Sequence, residues 1–281
     1  MLYPAKKVTP ALTGEVVIVT GASSGIGAAA ARELGRRGAT VVLAARRVGL
    51  LEAQVRSIRE AGGEAIAIPA DMADASDITM LAERTFAACG RVDVLVNNAG
   101  AFWSRSLASS SPDQITGLAQ VNLIGAMLLT RAVLPGMLEK RHGAIISVGS
   151  LSGRVAMEPL YSATKYGLRG FSLALRRQLA GTGISVSLVS PGNINTEMTR
   201  HIAARLPEPS LVATAIADLV RHPRREVIVP SRHYAIAWLE QALPTLADLV
   251  HRQRGWSPVR EEEVATWTSL SPVVMACSAA T

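Results

Sequence analysis

The sequence has little of what marks exported or membrane-spanning proteins. It contains two cysteines, Cys89 and Cys277, in 281 residues, which disfavours a disulfide framework and fits a reducing compartment. Residues 1–14 lack the apolar centre of a signal peptide, and no run reaches the roughly 20 apolar residues that a membrane span requires. We therefore expect a cytoplasmic location.

Clustered basic residues with interleaved aromatics are also missing. The net charge of +7 is carried mostly by arginines scattered over predicted helix ends, and aromatic residues make up only 4% of the chain. Nucleic-acid binding is therefore disfavoured. No metal-ligand motif stands out either, so no metal is predicted. The 49% hydrophobic content suffices for a substantial core in a single domain.

A strand, a glycine-rich loop and a helix follow one another near the N-terminus. Residues 15–20 form a β-branched run typical of a buried parallel strand, and an alanine-rich helix is predicted over 26–37. The glycines between them allow a tight turn, and the helix N-terminus can hold a pyrophosphate. This order predicts dinucleotide binding by Gly21, Ser23, Ser24, Gly25, Ile26 and Gly27.

The segment YSATK places Tyr161 and Lys165 four residues apart at the start of a predicted helix. Because four residues make about one helical turn, both side chains share a face. An ammonium group beside a phenol lowers a pKa that starts near ~10, which prepares tyrosine for proton transfer. The alternative is a surface tyrosine beside a solvated lysine.

The GxxxGxG spacing of the loop, the NNAG segment at 97–100 and the YxxxK spacing together resemble the short-chain dehydrogenase/reductase family. The resemblance implies a Rossmann-type α/β fold, in which a doubly wound, parallel seven-stranded sheet lies between two helical layers. We expect one dinucleotide-binding catalytic domain over 12–232, followed by a helical extension and tail over 233–281. The expected reaction moves a hydride between NADP(H) and a carbonyl or secondary alcohol.

The end of the second predicted strand, at 39–47, meets the adenosine ribose in this family. Arg46 and Arg47 stand there, and arginine suits a 2′-phosphate, so NADP(H) is favoured over NAD(H). Ser23 can add a hydrogen bond to that phosphate. The alternative is that both arginines only solvate the strand end. Asp71, after the third strand, either contacts the adenine as in the family or caps the next helix.

Further cofactor contacts are implied by the resemblance alone. They follow the fourth and sixth strands, with Thr196 holding the nicotinamide carboxamide and Lys165 the nicotinamide ribose. For the NNAG segment, a stabilising role is equally open. The predicted residues are Asn98, Ala99, Gly100, Tyr161, Lys165, Pro191, Gly192, Ile194 and Thr196.

The catalytic set implied by the resemblance is Asn122, Ser150, Tyr161 and Lys165. Tyr161 exchanges the proton, Ser150 holds the substrate oxygen, and Asn122 keeps a kink in the predicted helix 113–139 and a proton-relaying water. Ser150 follows the fifth strand, at 143–149, but lies about two residues closer to the tyrosine than the family serine does. Ser147 and Ser152 are alternatives.

The neighbours of these motifs favour an apolar ketone or secondary alcohol as substrate. They are Phe102, Trp103, Leu151, Met157, Leu160 and Met198. Two other functions stay open: a non-catalytic dinucleotide-binding regulatory protein of this fold, and a nucleotide-sugar epimerase or dehydratase. The latter relatives generally differ in glycine spacing and have a larger substrate region.

The segment 234–250 carries an apolar stripe at helical spacing that Pro244 is predicted to kink. Such a stripe needs a covering surface. Family members commonly pair their Asn122 and Tyr161 helices across a two-fold axis, so a homodimer or homotetramer is expected, and the stripe extends that contact or roofs the pocket. Peripheral membrane attachment is the alternative.

Overall fold

The computed structural model describes residues 11–103, 107 and 109–253. Its centre is one seven-stranded sheet in the order β3-β2-β1-β4-β5-β6-β7, with every neighbouring pair parallel. The strands are β1 (Val16–Thr20), β2 (Thr40–Ala45), β3 (Glu64–Pro69), β4 (Val94–Asn97), β5 (Gly143–Val148), β6 (Ile184–Pro191) and β7 (Glu226–Val229). The predicted Rossmann-type fold is confirmed.

Helices cover both faces of this sheet. They are α1 (Gly25–Arg36), α2 (Val48–Glu60), α3 (Ala75–Cys89), α4 (Pro112–Ala119), α5 (Gly125–Lys140), α6 (Pro159–Gln178), α7 (Pro209–Arg221), α8 (Tyr234–Ala242) and α9 (Pro244–Gln253). Alternate residues of β1 enter opposite cores: Val17 and Val19 pack with α1, α2 and α7, whereas Val16 and Ile18 pack with α3, α5 and α6. Burial on both faces explains why the strand is continuously apolar.

The strand order reverses at β1, whose neighbours are β2 on one side and β4 on the other. In an open parallel sheet, connections diverge at such a point and leave a crevice beyond the carboxyl ends of the strands. The glycine loop follows β1, and the NNAG segment begins at the last residue of β4. The fold thus brings both motifs to this crevice.

The helix predicted over 113–139 is interrupted. Ser111 and Gln114 form a capping box, and Pro112 opens the helix as predicted. One π-helical stretch, Gln120–Ile124, then separates α4 from α5 and contains Asn122. Among the described residues, the continuous helical run Pro112–Lys140 is long and apolar enough to cross a membrane by length and composition alone. Core helices of other proteins meet the same criterion, and this run packs residues of α5 against the sheet.

Pro244 ends a helix instead of kinking one: α8 stops at Ala242 and α9 begins at Pro244. The reason is that proline cannot donate to the preceding turn. Ala237 packs α8 onto Leu151, Val155 and Ile228. Several apolar side chains of both helices stay exposed, namely Tyr234, Trp238, Leu243, Leu246 and Leu249. Cys277 and the rest of the tail from 254 onward lie outside the described residues.

Candidate active site

The glycine loop is fitted to its neighbours without spare room. A Cβ on Gly27 would lie 2.3 Å from the Gly21 carbonyl oxygen and 2.5 Å from Asn98 Nδ2. No side chain caps the start of α1, and its first turn holds no acidic residue. The partial positive charge of this helix end is therefore not offset within α1, and the Glu197 carboxylate, which accepts from Ser24 Oγ at 3.4 Å, shows that an anion is accommodated beside it.

The NNAG segment ties β4 to the glycine loop, as the stabilising interpretation predicted. The amides of Asn98 and Ala99 both donate to Thr20 Oγ1 at 3.0 Å, and Asn98 Nδ2 donates to the Thr20 carbonyl oxygen at 2.8 Å. Thr20, the last residue of β1, thus serves as the acceptor for its neighbouring strand. The hydroxyl was not singled out from the sequence, although its place before the glycines marks it.

The two arginines after β2 differ in position. Arg47 donates to Ser24 Oγ at 2.6 Å and to Ser23 Oγ at 3.2 Å, and its guanidinium also pairs with Glu197 at 3.0 Å. The Arg46 side chain is 75% exposed and lies 3.7 Å from Asp71. The capping alternative for Asp71 is wrong, because Asp74 caps α3.

A cavity of about 280 Å³ lies at the carboxyl ends of β1, β4, β5 and β6. Most of the predicted cofactor residues line it, whereas Ser23, Arg46 and Asp71 do not, and Asn122 lies behind it. The cavity is lined by Gly21, Ser24, Gly25, Ile26, Gly27, Arg47, Asn98, Ala99, Gly100, Val148, Gly149, Ser150, Tyr161, Lys165, Pro191, Gly192, Ile194, Thr196, Glu197, Met198 and Thr199. Sequence reasoning missed Glu197 and Thr199, which no motif marks.

Ser150, Tyr161 and Lys165 meet on one wall of this cavity. Lys165 Nζ donates to the Val148 carbonyl oxygen at 3.1 Å and lies 5.7 Å from the centre of the Tyr161 ring. The two alternative serines do not line the cavity: Ser147 is fully buried and bonded to Ser172, and Ser152 is buried. Of these three serines, Ser150 is the one that lines the cavity.

Burial perturbs both members of the Tyr161–Lys165 pair. Burial raises the pKa of the Tyr161 phenol, and a hydrogen bond with Ser150 acts against that rise. Burial also lowers the pKa of Lys165 to about 8. The sequence predicted that Lys165 would lower the pKa of the phenol. In this arrangement the pKa is instead raised, because desolvation is the largest influence on it, and the Lys165 ammonium group donates to the Val148 carbonyl oxygen.

Asn122 lies directly behind the pair. Its Oδ1 accepts from the Ala101 amide at 2.7 Å, and its Nδ2 donates to the Ala101 carbonyl oxygen and, at 3.1 Å, to Thr164 Oγ1. The Thr164 hydroxyl in turn donates to the Tyr161 carbonyl oxygen at 2.8 Å. Thr164 is a residue the sequence reasoning passed over, although its place between Tyr161 and Lys165 is a usable signal.

The apolar neighbours of the motifs do not all face the cavity. The rings of Phe102 and Tyr161 pack in a T-shaped contact with centroids 5.0 Å apart, and Met198 lines the cavity. Leu151 and Met157 instead pack beneath α8. These two residues were expected near the substrate, but they do not line the cavity. Trp103 is 38% exposed, and Leu160 is half-buried outside the lining.

Within the described ranges, one acidic cluster has metal-ligand spacing: Glu15, Asp93 and His142. It lies at the amino ends of β1, β4 and β5, far along the sheet from the cavity. Arg91 binds Asp93 at 2.6 Å, and Arg221 binds Glu15 at 2.9 Å. Arginine thus already neutralises both carboxylates.

The cavity fits a dinucleotide on three observations. The start of α1 is uncapped. Arg47 and Ser24 add donors suited to phosphate oxygens. The cavity extends continuously from this anion-binding end to the Ser150, Tyr161 and Lys165 wall.

Comparisons of the sequence with known proteins all point to one family. A family model described as short chain dehydrogenase matches residues 15–207. The chain is 36% identical over 259 residues to the ketoacyl reductase HetN of Nostoc sp., which covers 87% of this chain and 90% of that protein. It is 37% identical over 192 residues to the 3-oxoacyl-[acyl-carrier-protein] reductase FabG of Escherichia coli, covering 68% of this chain and 78% of that protein.

Solved structures share the architecture. A metagenomic short-chain oxidoreductase crystallised in complex with NADP superposes with a TM-score of 0.70 at 40% identity. The match covers 78% of this chain and 97% of that one.

Proposed function

The chain belongs to the short-chain dehydrogenase family, and we propose that within it the protein uses NADP(H) to reduce a ketone, or to oxidise the corresponding secondary alcohol, with Tyr161 as the acid or base. The family and its reductase relatives make it an oxidoreductase that acts on carbonyl or CH–OH groups. The observation that carries the finer proposal is the convergence of Ser150, Tyr161 and Lys165 on one wall of the cavity.

Each side chain of this wall has a separate role in the reaction. A bound nicotinamide supplies or accepts the hydride. Ser150 Oγ donates a hydrogen bond to the substrate oxygen, and the Tyr161 hydroxyl gives that oxygen its proton in reduction. Lys165 Nζ adds positive charge beside the tyrosinate that remains. Asn122 and Thr164 hold the helical turn that carries the tyrosine.

The substrate class follows from the cavity and the relatives together. Met198 lines the cavity and Phe102 packs on Tyr161, so the wall near the reacting atoms is partly apolar. Two relatives carry ketoacyl or 3-oxoacyl reductase in their names. We infer an apolar ketone with an acyl chain, a narrower form of the apolar substrate that the sequence favoured.

The proposal of NADP(H) over NAD(H) rests on the two arginines after β2 and on a relative crystallised with NADP. An Arg46→Asp variant should shift preference toward NADH through KM, because a carboxylate repels a 2′-phosphate and accepts from a free hydroxyl. Arg46→Gln is the control for loss of charge alone. An unchanged ratio of cofactor efficiencies would show that Arg46 does not face the ribose.

The decisive experiment is Tyr161→Phe, which keeps the ring packed on Phe102 but removes the transferable proton. Reduction of a panel of ketones by NADPH should fall by on the order of 10²-fold or more, while NADPH binding followed by fluorescence stays unchanged. Near-normal turnover would remove Tyr161 from the acid role. Absence of any turnover in the unaltered protein, with tight NADPH binding, would favour the regulatory alternative.

The epimerase or dehydratase alternative has less support. None of the relatives or the structure compared above is named as one. Product analysis with nucleotide sugars tests it directly, because an epimerase returns an isomer with no net consumption of cofactor.

We also propose that the protein is a homodimer or homotetramer. The face shared by α5 and α6 has an apolar groove lined by Met127, Thr130, Arg131, Leu134, Pro135, Leu138, Phe171 and Leu175. The exposed stripe of α8 and α9 would extend the contact with the second copy. Removing residues from 243 onward keeps Ala237 in place and should lower the oligomer mass measured by light scattering. Truncation-sensitive binding to anionic vesicles at constant mass would favour the membrane alternative.

A further inference from the structure

A buried ion cluster lies on the α6 side of β7, outside the cavity lining. Glu226, the first residue of β7, has a side chain that is only 4% exposed. Arg154 binds it through two parallel hydrogen bonds of 2.8 and 2.6 Å, and Arg169 of α6 donates at 3.1 Å. Ser190 Oγ donates to the same carboxylate at 2.8 Å. Four elements of the chain thus meet at one carboxylate.

The Arg154 contact reaches the catalytic wall through a very short segment. A 3-10 turn, Leu151–Gly153, begins directly after Ser150, and Arg154 follows it. The Ser152 amide donates to Ser150 Oγ at 3.1 Å, and the Arg154 amide donates to the Leu151 carbonyl oxygen at 2.8 Å. Any movement of Arg154 therefore moves the turn that orients the Ser150 hydroxyl.

The same turn is pressed against the helix that carries Tyr161 and Lys165. A Cβ on Gly153 would lie 2.8 Å from the Lys165 carbonyl oxygen, so glycine permits this close approach. Arg154 joins the turn to β7 through its two hydrogen bonds with Glu226, and Leu151 packs against Ile228 of the same strand. The segment from Ser150 to Tyr161 is about two residues shorter than in the family. The close approach of Gly153 to α6 and the hydrogen bonds of Arg154 explain how it still brings the two hydroxyl groups together.

Charge favours a fixed geometry at this cluster. Burial acts to raise the pKa of Glu226, but hydrogen bonds from Arg154 and Ser190 hold it below its ordinary value. The carboxylate is therefore ionised at neutral pH, and a bidentate arginine fixes its orientation better than a single contact does. Ser190 is the β6 residue directly before Pro191, which lines the cavity, so the carboxylate contacts both the end of β6 and the segment that follows Ser150.

We propose that Arg154 and Glu226 are positioning residues that hold the turn carrying Ser150 in its reactive geometry. The inference rests on the reduction proposed above. Arg169 donates to the same carboxylate from α6, outside the segment that follows Ser150, and its side chain is 18% exposed against 17% for Arg154. It therefore provides a matched control: each arginine can be removed while the other still neutralises Glu226.

The experiment compares Arg154→Met with Arg169→Met in the full chain. Arg154→Met should lower kcat for ketone reduction by on the order of 10-fold, with the Kd for NADPH unchanged, because misplacement of a reacting group costs rate and not cofactor binding. Arg169→Met should change kcat by less than about 3-fold. Arg154→Lys keeps the positive charge but cannot form the two parallel hydrogen bonds to Glu226, so it should recover part of the kcat that Arg154→Met loses. Equal kcat losses that follow the melting temperatures of the variants would overturn the proposal.

Hydrogen exchange of the peptide that spans 149–156 gives a readout that does not depend on turnover. Arg154→Met should increase exchange there, whereas Arg169→Met should leave it as in the unaltered protein. If no ketone is reduced but the exchange difference appears, the reaction is wrong and the anchoring holds. If both variants exchange alike, the anchoring is wrong whatever the activity.

Discussion

The two halves of the cavity are held together by different kinds of interaction. On the β1, α1 and β4 side, the backbone of the glycine loop packs closely against neighbouring backbone. The ends of β1 and β4 are joined there by neutral hydrogen bonds to Thr20. On the β5 and α6 side, the wall contains a buried phenol and a buried ammonium group, Tyr161 and Lys165, above the ion cluster of Glu226. In the first half, the stability of the fold depends on close packing. In the second half, it depends on how much free energy the desolvation of polar groups costs.

This difference predicts opposite signs for substitutions in the two halves. Added atoms or lost acceptors in the first half should destabilise the fold, since its groups are already close-packed and paired. Removal of the Lys165 charge from the second half should stabilise the fold while activity is lost, since a desolvated lysine is unfavourable for folding.

The largest effect is expected for Gly27→Ala. The new methyl group would lie 2.3 Å from the Gly21 carbonyl oxygen, a backbone atom that cannot rotate away. Overpacking should lower the free energy of unfolding by about 3 kcal/mol and abolish NADPH binding, as measured by urea unfolding and fluorescence titration.

Gly117→Ala is the matched control, because this α4 glycine has no atom within 4 Å of an added Cβ. It should stabilise the protein by about 0.5 kcal/mol through helix propensity. If both substitutions gave the same result, close packing of the glycine loop would not be what distinguishes this half of the site.

A smaller effect of opposite sign is expected for Lys165→Met. Because the folded-state pKa of Lys165 is lowered from 10.5 to about 8, its charge opposes folding below pH 8, and this penalty disappears as the pH rises toward 10.5. The variant should be more stable by about 2 kcal/mol at pH 7, after allowance for the lost bond to Val148.

Thermal unfolding at several pH values checks the sign. The gap between the variant and the unaltered protein should shrink between pH 8 and 10.5, and turnover should be lost throughout. A variant less stable at pH 7 would mean that Lys165 contributes more by its contacts than burial of its charge costs.

The smallest change is expected for Thr20→Val, which keeps the side-chain shape but removes the acceptor of the Asn98 and Ala99 amides. The free energy of unfolding should fall by about 1.5 kcal/mol. Thr20→Ser retains the hydroxyl and should recover most of that loss in the same urea titration. Equal losses for both variants would assign the effect to the methyl group instead.

The sequence was sufficient where a short stretch of chain specifies its own surroundings. The β-branched run at 15–20 predicted a buried parallel strand because a strand buried on both faces must be apolar throughout, and the family resemblance implied the seven-stranded sheet around it. The resemblance in GxxxGxG, NNAG and YxxxK also identified Gly27, Asn98, Tyr161 and Lys165, all of which line one cavity. The spacing of residues along a strand, turn or helix determines which of their side chains share a face, whatever the rest of the fold is.

Only the tertiary structure decided what depends on distant partners. Arg46 and Arg47 are neighbours in sequence, yet one pairs with Asp71 and the other with the glycine loop and Glu197. Leu151 was expected beside the substrate but packs under α8. The pKa directions of Tyr161 and Lys165 likewise follow from burial, which spacing cannot report. Glu226 shows the limit most clearly, since its partners Arg154, Arg169 and Ser190 come together only when four separate elements are packed.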